Sequence, residues 1–367
     1  MQTNRRRWLQ QLIMGTAALS LPAWPAQARE IQQPEPIDNP EKPIRLSSNE
    51  NPYGPSPKAI QAMINTVPAS NRYNWEIQQQ LIQKILQRHP LNEGTVLLGA
   101  GSTELIDLAM QWASRYPGKL LMPNPSYNYW ASTAERYGLQ TVNVALDAGK
   151  KINLDAVLQQ ADRSTRLIYI CNPNNPTGTT CEPAALRDFI RKAVEWGVVL
   201  VDEAYLDYTD APSMAPLTAE LPNLIVVKTF SKIYGLAGAR IGYLMAHPQT
   251  VEALSNLQSW NGGTLSSVSA AAALASLNDT AFVQSCKQKN QLVRTYALNE
   301  LQRLKLNPIA SETNFIYFST ESVAADYFGL LQEASITGTR IYEEQGKWTR
   351  ITVGTMEEMK RFIKAIG

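Results

Sequence analysis

Four short apolar runs in this chain each stop at a polar or glycine-rich loop, and that repeated order constrains the fold more than any other feature. Val96-Leu97-Leu98 runs into Gly99-Ala100-Gly101-Ser102-Thr103, followed by a helical pattern that buries Leu105, Leu108, Ala109 and Trp112. Leu120-Leu121-Met122 leads to Pro123-Asn124-Pro125-Ser126-Tyr127. Leu167 to Cys171 leads to Asn172-Pro173-Asn174-Asn175-Pro176-Thr177-Gly178, and Val198 to Val201 stops at Asp202. Strands alternating with amphipathic helices predict an α/β domain with a mainly parallel sheet covered by helices on both faces. Such sheets bind ligands at the carboxyl ends of their strands, where all four loops fall.

The remaining segments fit around that sheet. Ser56 and Pro57 supply the N-cap and first-turn residues of a helix carrying Ile60, Met63 and Ile64. Ile77, Leu81, Ile82 and Ile85 mark a second helix by their spacing of three and four. After His247 the rhythm changes: a helix near Thr250 to Gln258, a loop from Trp260 to Thr264, an alanine-rich helix and a long helix from Thr280 to Leu304. Two separated strands follow, Asn314 to Phe318 and Thr349 to Val353, and Thr355 with Glu358 forms a capping box for the last helix. We expect an extended arm over residues 29–52, a large domain over 53–256 and a smaller α+β domain over 257–367.

Composition narrows the class further. With 367 residues, 44% of them hydrophobic and 18% charged, the chain is long and apolar enough for two cores. Residues 1–28 read as a signal peptide: Arg5-Arg6-Arg7 fits the twin-arginine pattern, an apolar run from Leu12 to Leu21 follows, and Ala26-Gln27-Ala28 forms a small-x-small cleavage site. That run is far shorter than the ~20 residues a membrane span needs. The expectation is therefore a periplasmic or otherwise exported protein, with no membrane attachment once the signal is removed. Loss of the three arginines takes the formal charge from +2 to −1, and no later basic cluster calls for nucleic acid. Three cysteines, Cys171, Cys181 and Cys286, contain no CxxC pair, so neither a zinc site nor a disulfide framework is indicated. A single Cys171–Cys181 bridge stays open.

The stretch from Leu224 to Gly242, LIVVKTFSKIYGLAGARIG, carries the chemistry. A lysine that is buried beside other cations sheds its proton readily and becomes a nucleophile toward an aldehyde, which is the role open to Lys232. Ser231 and Arg240 flank it with a hydroxyl and a guanidinium suited to a phosphate dianion. Together these describe pyridoxal 5'-phosphate. Gly101, Ser102 and Thr103 offer backbone N–H groups and hydroxyls to the same phosphate. Glu104 stands where a dinucleotide fingerprint would want glycine. Asp202, at the end of a buried strand, needs a cation, and a protonated pyridine nitrogen supplies one. Asn175 and Tyr205 can reach the ring oxygen, and Tyr127 can lay its ring against a planar cofactor. Arg350 presents a fork suited to a carboxylate, with Arg340 as a second candidate. A salt bridge for Asp202 and plain turns at the loops are the structural alternatives.

In combination, these motifs resemble those of histidinol-phosphate aminotransferases. The residues that carry the likeness are Asn49-Glu50-Asn51-Pro52-Tyr53, Asn71-Arg72-Tyr73, Gly99-Ala100-Gly101, NNPTG at 174–178, DEAY at 202–205, TFSKIYGLAGARIG at 229–242, ETNF at 312–315 and RITVGT at 350–355. The likeness runs from about Ile44 to the end of the chain. It implies the fold-type I architecture and a transaminase moving an amino group between an amino acid, or a histidinol-phosphate-like amine, and a 2-oxo acid. Lys232 would hold the cofactor as an internal aldimine, Asp202 the pyridine nitrogen, and Asn175 and Tyr205 the ring oxygen. Tyr127 would stack on the ring, and Gly101, Ser102, Ser231 and Arg240 would hold the phosphate. Arg350 would take the substrate carboxylate. Tyr73 would reach the phosphate of a neighbouring subunit's cofactor, so a homodimer is implied. Tyr73 is followed here by Asn74-Trp75 in place of the family's common proline. An exported enzyme would not meet the intermediates of cytosolic histidine synthesis, which favours an ordinary amino acid as substrate, and Tyr53, Tyr127, Tyr129 and Trp260 would suit an aromatic one. Racemisation or decarboxylation on the same scaffold, and a non-catalytic cofactor-binding protein, are the competing readings.

Overall fold

The computed structural model describes residues 43–260, 265–323 and 326–367. The segment 1–28 expected to be a signal peptide, and most of the arm expected at 29–52, lie outside those residues. So do 261–264 of the loop after Trp260.

Twelve strands are found among the described residues: β1 (Ile44–Arg45), β2 (Val96–Gly99), β3 (Gly118–Asn124), β4 (Leu139–Ala145), β5 (Thr165–Cys171), β6 (Val198–Asp202), β7 (Leu224–Thr229), β8 (Gly242–Ala246), β9 (Phe315–Ser319), β10 (Ile336–Thr337), β11 (Ile341–Glu343) and β12 (Trp348–Thr352). Seven form the central sheet in the order β2-β8-β7-β6-β5-β3-β4. From β7 to β4 every pairing is parallel; β8 alone runs antiparallel to both its neighbours. The mainly parallel sheet expected from the strand–loop–helix order is therefore present. β4 and β8 were not expected, because their half-buried or short runs carry no loop motif of their own.

Alternation along the strands decides which side chains face the site. Leu167, Tyr169 and Cys171 on β5, and Val198 and Leu200 on β6, join one core layer with Leu105, Ile106 and Met110 of the helix Ser102–Ala113. Ile168, Ile170, Val199 and Val201 join the opposite layer with Leu81 and Ile85 of the helix Trp75–Arg88. A strand's period of two then puts Asp202 on the same face as Tyr169 and the helix Ser102–Ala113. Glu203, one residue on, is buried within 3.8 Å of Lys228, which also meets Asp207 at 3.3 Å.

The C-terminal part builds its own core. β9, β12 and β11 form an antiparallel sheet in which Arg350 pairs with Tyr317. The two strands expected near 314–318 and 349–353 are thus direct neighbours. Ile316, Phe318 and Ile351 pack with Leu301 of the helix Thr280–Arg303 and Phe362 of the helix Met356–Ile366. The capping box of that last helix is made in full by Thr355 and Glu358. Ile44 and Leu46 belong to this core as well, because β1 pairs in parallel with β10. The chain just before the site is therefore anchored on the C-terminal layer. All three cysteines are free thiols, and Cys171 Sγ donates to the carbonyl of Pro173 at 3.3 Å, so the open Cys171–Cys181 bridge is not formed.

Candidate active site

A cavity of about 730 Å³ opens at the carboxyl ends of the central strands, against the C-terminal sheet. Ser102, Thr103, Tyr127, Asn175, Asp202, Tyr205, Ser231, Lys232, Arg240, Arg340 and Arg350 all line it. Residues spread over some 250 positions thus meet where the strand ends had pointed.

Lys232 lies just past the end of β7, where Thr229 Oγ1 donates to Ser231 Oγ at 2.9 Å and accepts the Ser231 N–H at 3.1 Å. Its ammonium donates to the Ser48 carbonyl at 3.2 Å and sits 5.5 Å from the centre of the Tyr205 ring. Burial lowers its pKa to about 8, Arg350 and Arg240 push the same way, and Asp202 and Glu50 oppose them. An amine in that range is neutral often enough near physiological pH to act as a nucleophile.

Gly101, Ser102, Ser231 and Arg240 form an anion cup. Gly101 precedes the helix Ser102–Ala113 with φ +86, and no side chain caps that helix. A Cβ at Gly101 would collide with the Arg240 guanidinium, so glycine lets Arg240 close over the helix N-terminus. Gly101 therefore shapes the cup from behind without lining the cavity. Arg240 is held by the Ala237 carbonyl at 3.0 Å and itself adopts a left-handed backbone, φ 51. Glu104 turns away and accepts the Ala100 N–H.

In the same cavity Asp202 is buried, 3% exposed. Its Oδ2 accepts from the Tyr169 hydroxyl at 2.9 Å and its Oδ1 from the Ala204 N–H at 3.0 Å. Burial raises its pKa, while Tyr169, Ala204 and Lys232 pull it back. Among the described residues no lysine, arginine or histidine makes an ion pair with it. The salt-bridge alternative for Asp202 thus finds no partner among the described residues.

Arg350 mirrors that situation with the opposite sign. It is buried, donates through Nη1 to Asn175 Oδ1 at 2.6 Å and through Nη2 to the Ser47 carbonyl, and has no carboxylate partner among the described residues. Its Nε has no acceptor. Asn175 Nδ2 turns to the Tyr205 hydroxyl at 3.4 Å, and Asn49 Nδ2 donates to the same oxygen at 2.9 Å. Burial holds the Tyr205 phenol well above its ordinary range, so it keeps its proton. Burial likewise pushes the Tyr127 phenol up to about 12, and the Tyr127 and Tyr129 rings stack at 6.3 Å. Arg340, at the exposed rim, lies 5.1 Å from the Tyr342 ring centre.

Two expected aromatic contributions are corrected. Tyr53 does not line the cavity; its ring lies 4.8 Å under the Lys289 ammonium, because Asn51 Oδ1 takes the Tyr53 N–H and turns the chain toward the main core. Trp260 is also outside, exposed and edge-on to Tyr73 at 4.9 Å. Tyr73 itself stands outside this cavity.

Three contributors were given no role in the sequence: Ser48, Asn49, which was quoted only as part of a motif, and Tyr169, hidden in an apolar strand. Strand parity, counting two back from Cys171 opposite Asp202, is the signal that would have found Tyr169.

A family model described as aminotransferase class I and II matches residues 41–366. The chain belongs to the aminotransferase class I and II family. This aminotransferase is 31% identical to the histidinol-phosphate aminotransferase of Symbiobacterium thermophilum over 329 residues, 88% of this chain and 89% of the relative. It is 32% identical to that of Bacillus licheniformis over 343 residues, 92% and 94% of the two chains. The solved histidinol-phosphate aminotransferase of Sinorhizobium meliloti in complex with pyridoxal-5'-phosphate superposes with a TM-score of 0.79 at 24% identity, covering 89% of this chain and 90% of that one. At that identity the likeness is one of fold.

The aminotransferase is a pyridoxal 5'-phosphate-dependent transaminase, and its cavity suits that cofactor. The buried Asp202 carboxylate, without an ion-pair partner among the described residues, suits a protonated ring nitrogen; the Arg240–Ser231–Ser102 cup suits a phosphate; and Lys232, which lines the same cavity, feels the charges of both Asp202 and Arg240.

Proposed function

We propose that this aminotransferase moves the amino group of an amino acid to a 2-oxo acid, with Lys232 as the proton-moving amine and Arg350 as the carboxylate receptor. The observation that carries this reading is a pair of buried, opposite charges in one cavity, Asp202 and Arg350, neither of which has an ion-pair partner among the described residues. Buried charges persist when something neutralises them. A ring nitrogen does so for Asp202 and a substrate carboxylate for Arg350. Bound here, pyridoxal 5'-phosphate supplies an aldehyde carbon and a ring that takes up electrons. Lys232 Nζ accepts the proton from the substrate Cα, helped by a pKa close to the working range. The Tyr205 hydroxyl, held by Asn49 and Asn175, stays protonated and donates to the cofactor's ring oxygen.

The amine substrate carries an anion at the Arg350 end. An α-carboxylate fits that fork directly; the phosphate of histidinol phosphate, the compound named for the relatives, is the second reading, and Arg340 at the rim would serve it. Export through the twin-arginine route, supported by Arg5-Arg6-Arg7, the apolar run and Ala26-Gln27-Ala28, favours the amino acid. A homodimer in which Tyr73 serves the partner's cofactor is supported by three exposed aromatics packed together: Tyr73 on Trp75 at 5.6 Å, and Trp260 against both.

Titration of the purified holoenzyme with single amino acids and with histidinol phosphate tests the substrate. The visible cofactor band should fade with an α-amino acid and return on adding a 2-oxo acid. Racemised or decarboxylated product, with no band recovered by any 2-oxo acid, would replace transamination by one of the competing reactions. Band loss with histidinol phosphate alone would favour the second reading.

A further inference from the structure

Tyr169 belongs to no motif that drew attention to the site, and it does not line the cavity. It lies in the middle of β5, fully buried, one strand away from Asp202. Because the strands are parallel and Cys171 pairs with Asp202, residues 169, 171 and 202 share a face. The Tyr169 ring is fixed edge-on by Trp130, with ring centres 4.5 Å apart, and its hydroxyl donates to Asp202 Oδ2 at 2.9 Å.

We propose that Tyr169 is a positioning residue: its hydroxyl, with the Ala204 N–H, fixes the Asp202 carboxylate in its anionic form with the remaining lone pairs free for a cationic ring nitrogen. This rests on the pyridoxal 5'-phosphate reading of the site. Each carboxylate oxygen takes one donor from the protein, so the group cannot rotate without losing one of them. A phenol in this place serves only as a donor, since burial and the neighbouring Asp202 charge keep it protonated. Other groups facing Asp202 do not repeat the contact. The Cys171 thiol, on the same strand, is turned to the Pro173 carbonyl; Tyr127, beyond β3, is half-buried and protonated; Lys232, beyond β7, acts through its charge without a hydrogen bond. The consequence is chemical: a carboxylate that has been given a donor is a weaker base, so a shared proton stays on the ring nitrogen, where it makes the ring an electron sink.

The test uses cofactor-free protein and pyridoxamine 5'-phosphate, which does not attach to Lys232 and so reports the ring and phosphate contacts alone. Dissociation constants are measured against pH for the wild type, Tyr169→Phe, Asp202→Asn and the double variant, with thermal unfolding as a check on folding. Tyr169→Phe should move the acidic limit of binding upward by on the order of one pH unit, the worth of one hydrogen bond to a charged group. In the Asp202→Asn background the same substitution should leave the profile where it was. An unmoved acidic limit, or an equal change in both backgrounds, would overturn the role assigned to Tyr169. Failure of the wild type to bind the cofactor at all would instead overturn the reading on which it rests.

Discussion

At the scale of single residues, the site buries two opposite charges that have no ion-pair partner among the described residues, beside one amine whose ordinary charged state burial disfavours. Lys232 titrates at about 8, chiefly from burial and next from Arg350. Its folded pKa lies below the ordinary lysine value, so between the two the unfolded chain binds a proton that the folded chain has shed. Cofactor-free protein should therefore gain stability as the pH rises from about 8 toward 10. Capture of pyridoxal 5'-phosphate by that protein, followed as growth of the visible band, should accelerate through the same midpoint. Arg350→Met removes the second cause and should raise the midpoint by up to about one unit. An unchanged midpoint in that variant would show that Arg350 does not act on the amine. Lys232, Asp202 and Asn175 were legible in the sequence because each is a polar residue at the end of an apolar run or in the loop that follows it, where burial makes it expensive unless it has a task, and Arg350 because it is a charge set inside a strand. Tyr169 was not legible, since a tyrosine among Leu167, Ile168 and Ile170 reads as core. Tyr53 misled because its motif was right while its direction depended on a turn made by Asn51.

At the scale of elements, the parallel sheet was readable from the order of runs and loops, whereas the strands that carry no loop motif, β1, β4, β8, β10 and β11, were not. What unites the elements at the site is side-chain bonding across long sequence separations. Asn49 bonds to Thr352 and Tyr205, and Asn314 donates to the Asn49 and Glu50 carbonyls. A further tie joins the loop after β4 to the C-terminal sheet. Lys150 reaches both carboxylate oxygens of Glu343, at 2.8 and 2.9 Å, and lies 4.7 Å from the Trp348 ring centre; Tyr317 donates to the same carboxylate at 2.7 Å. Tyr342, which lines the cavity, is the neighbouring residue of β11. Lys150→Met should cost about 1 kcal/mol of stability, discounted for partial exposure of the pair, and raise the KM of the amine substrate more than it lowers kcat. Thermal unfolding and steady-state kinetics check both halves; a fall in kcat alone would show that the tie does not orient the substrate end.

At the scale of the whole molecule, the exposed group of Tyr73, Trp75 and Trp260 is more apolar than an isolated surface needs. If it is the seat of a second copy, sedimentation should give a dimer for the wild type, and Trp75→Glu should shift the population to monomer by placing a charge in an apolar contact. Wild-type monomer at micromolar concentration would contradict the shared-site arrangement. Nothing in the sequence reported this cluster, because Tyr73, Trp75 and Trp260 meet only once the helix Trp75–Arg88 and the segment after Ser255 are folded together.

The proposed function requires covalent attachment of the cofactor at one lysine, Lys232. Borohydride reduction of the purified holoenzyme, followed by proteolysis and peptide mass analysis, reads that attachment site directly. The expected result is a phosphopyridoxyl mass on the peptide containing Lys232, with the buried Lys228 on the same stretch unmodified. A label on Lys228 or on another lysine, or no label at all in protein that carries the visible band, would contradict it.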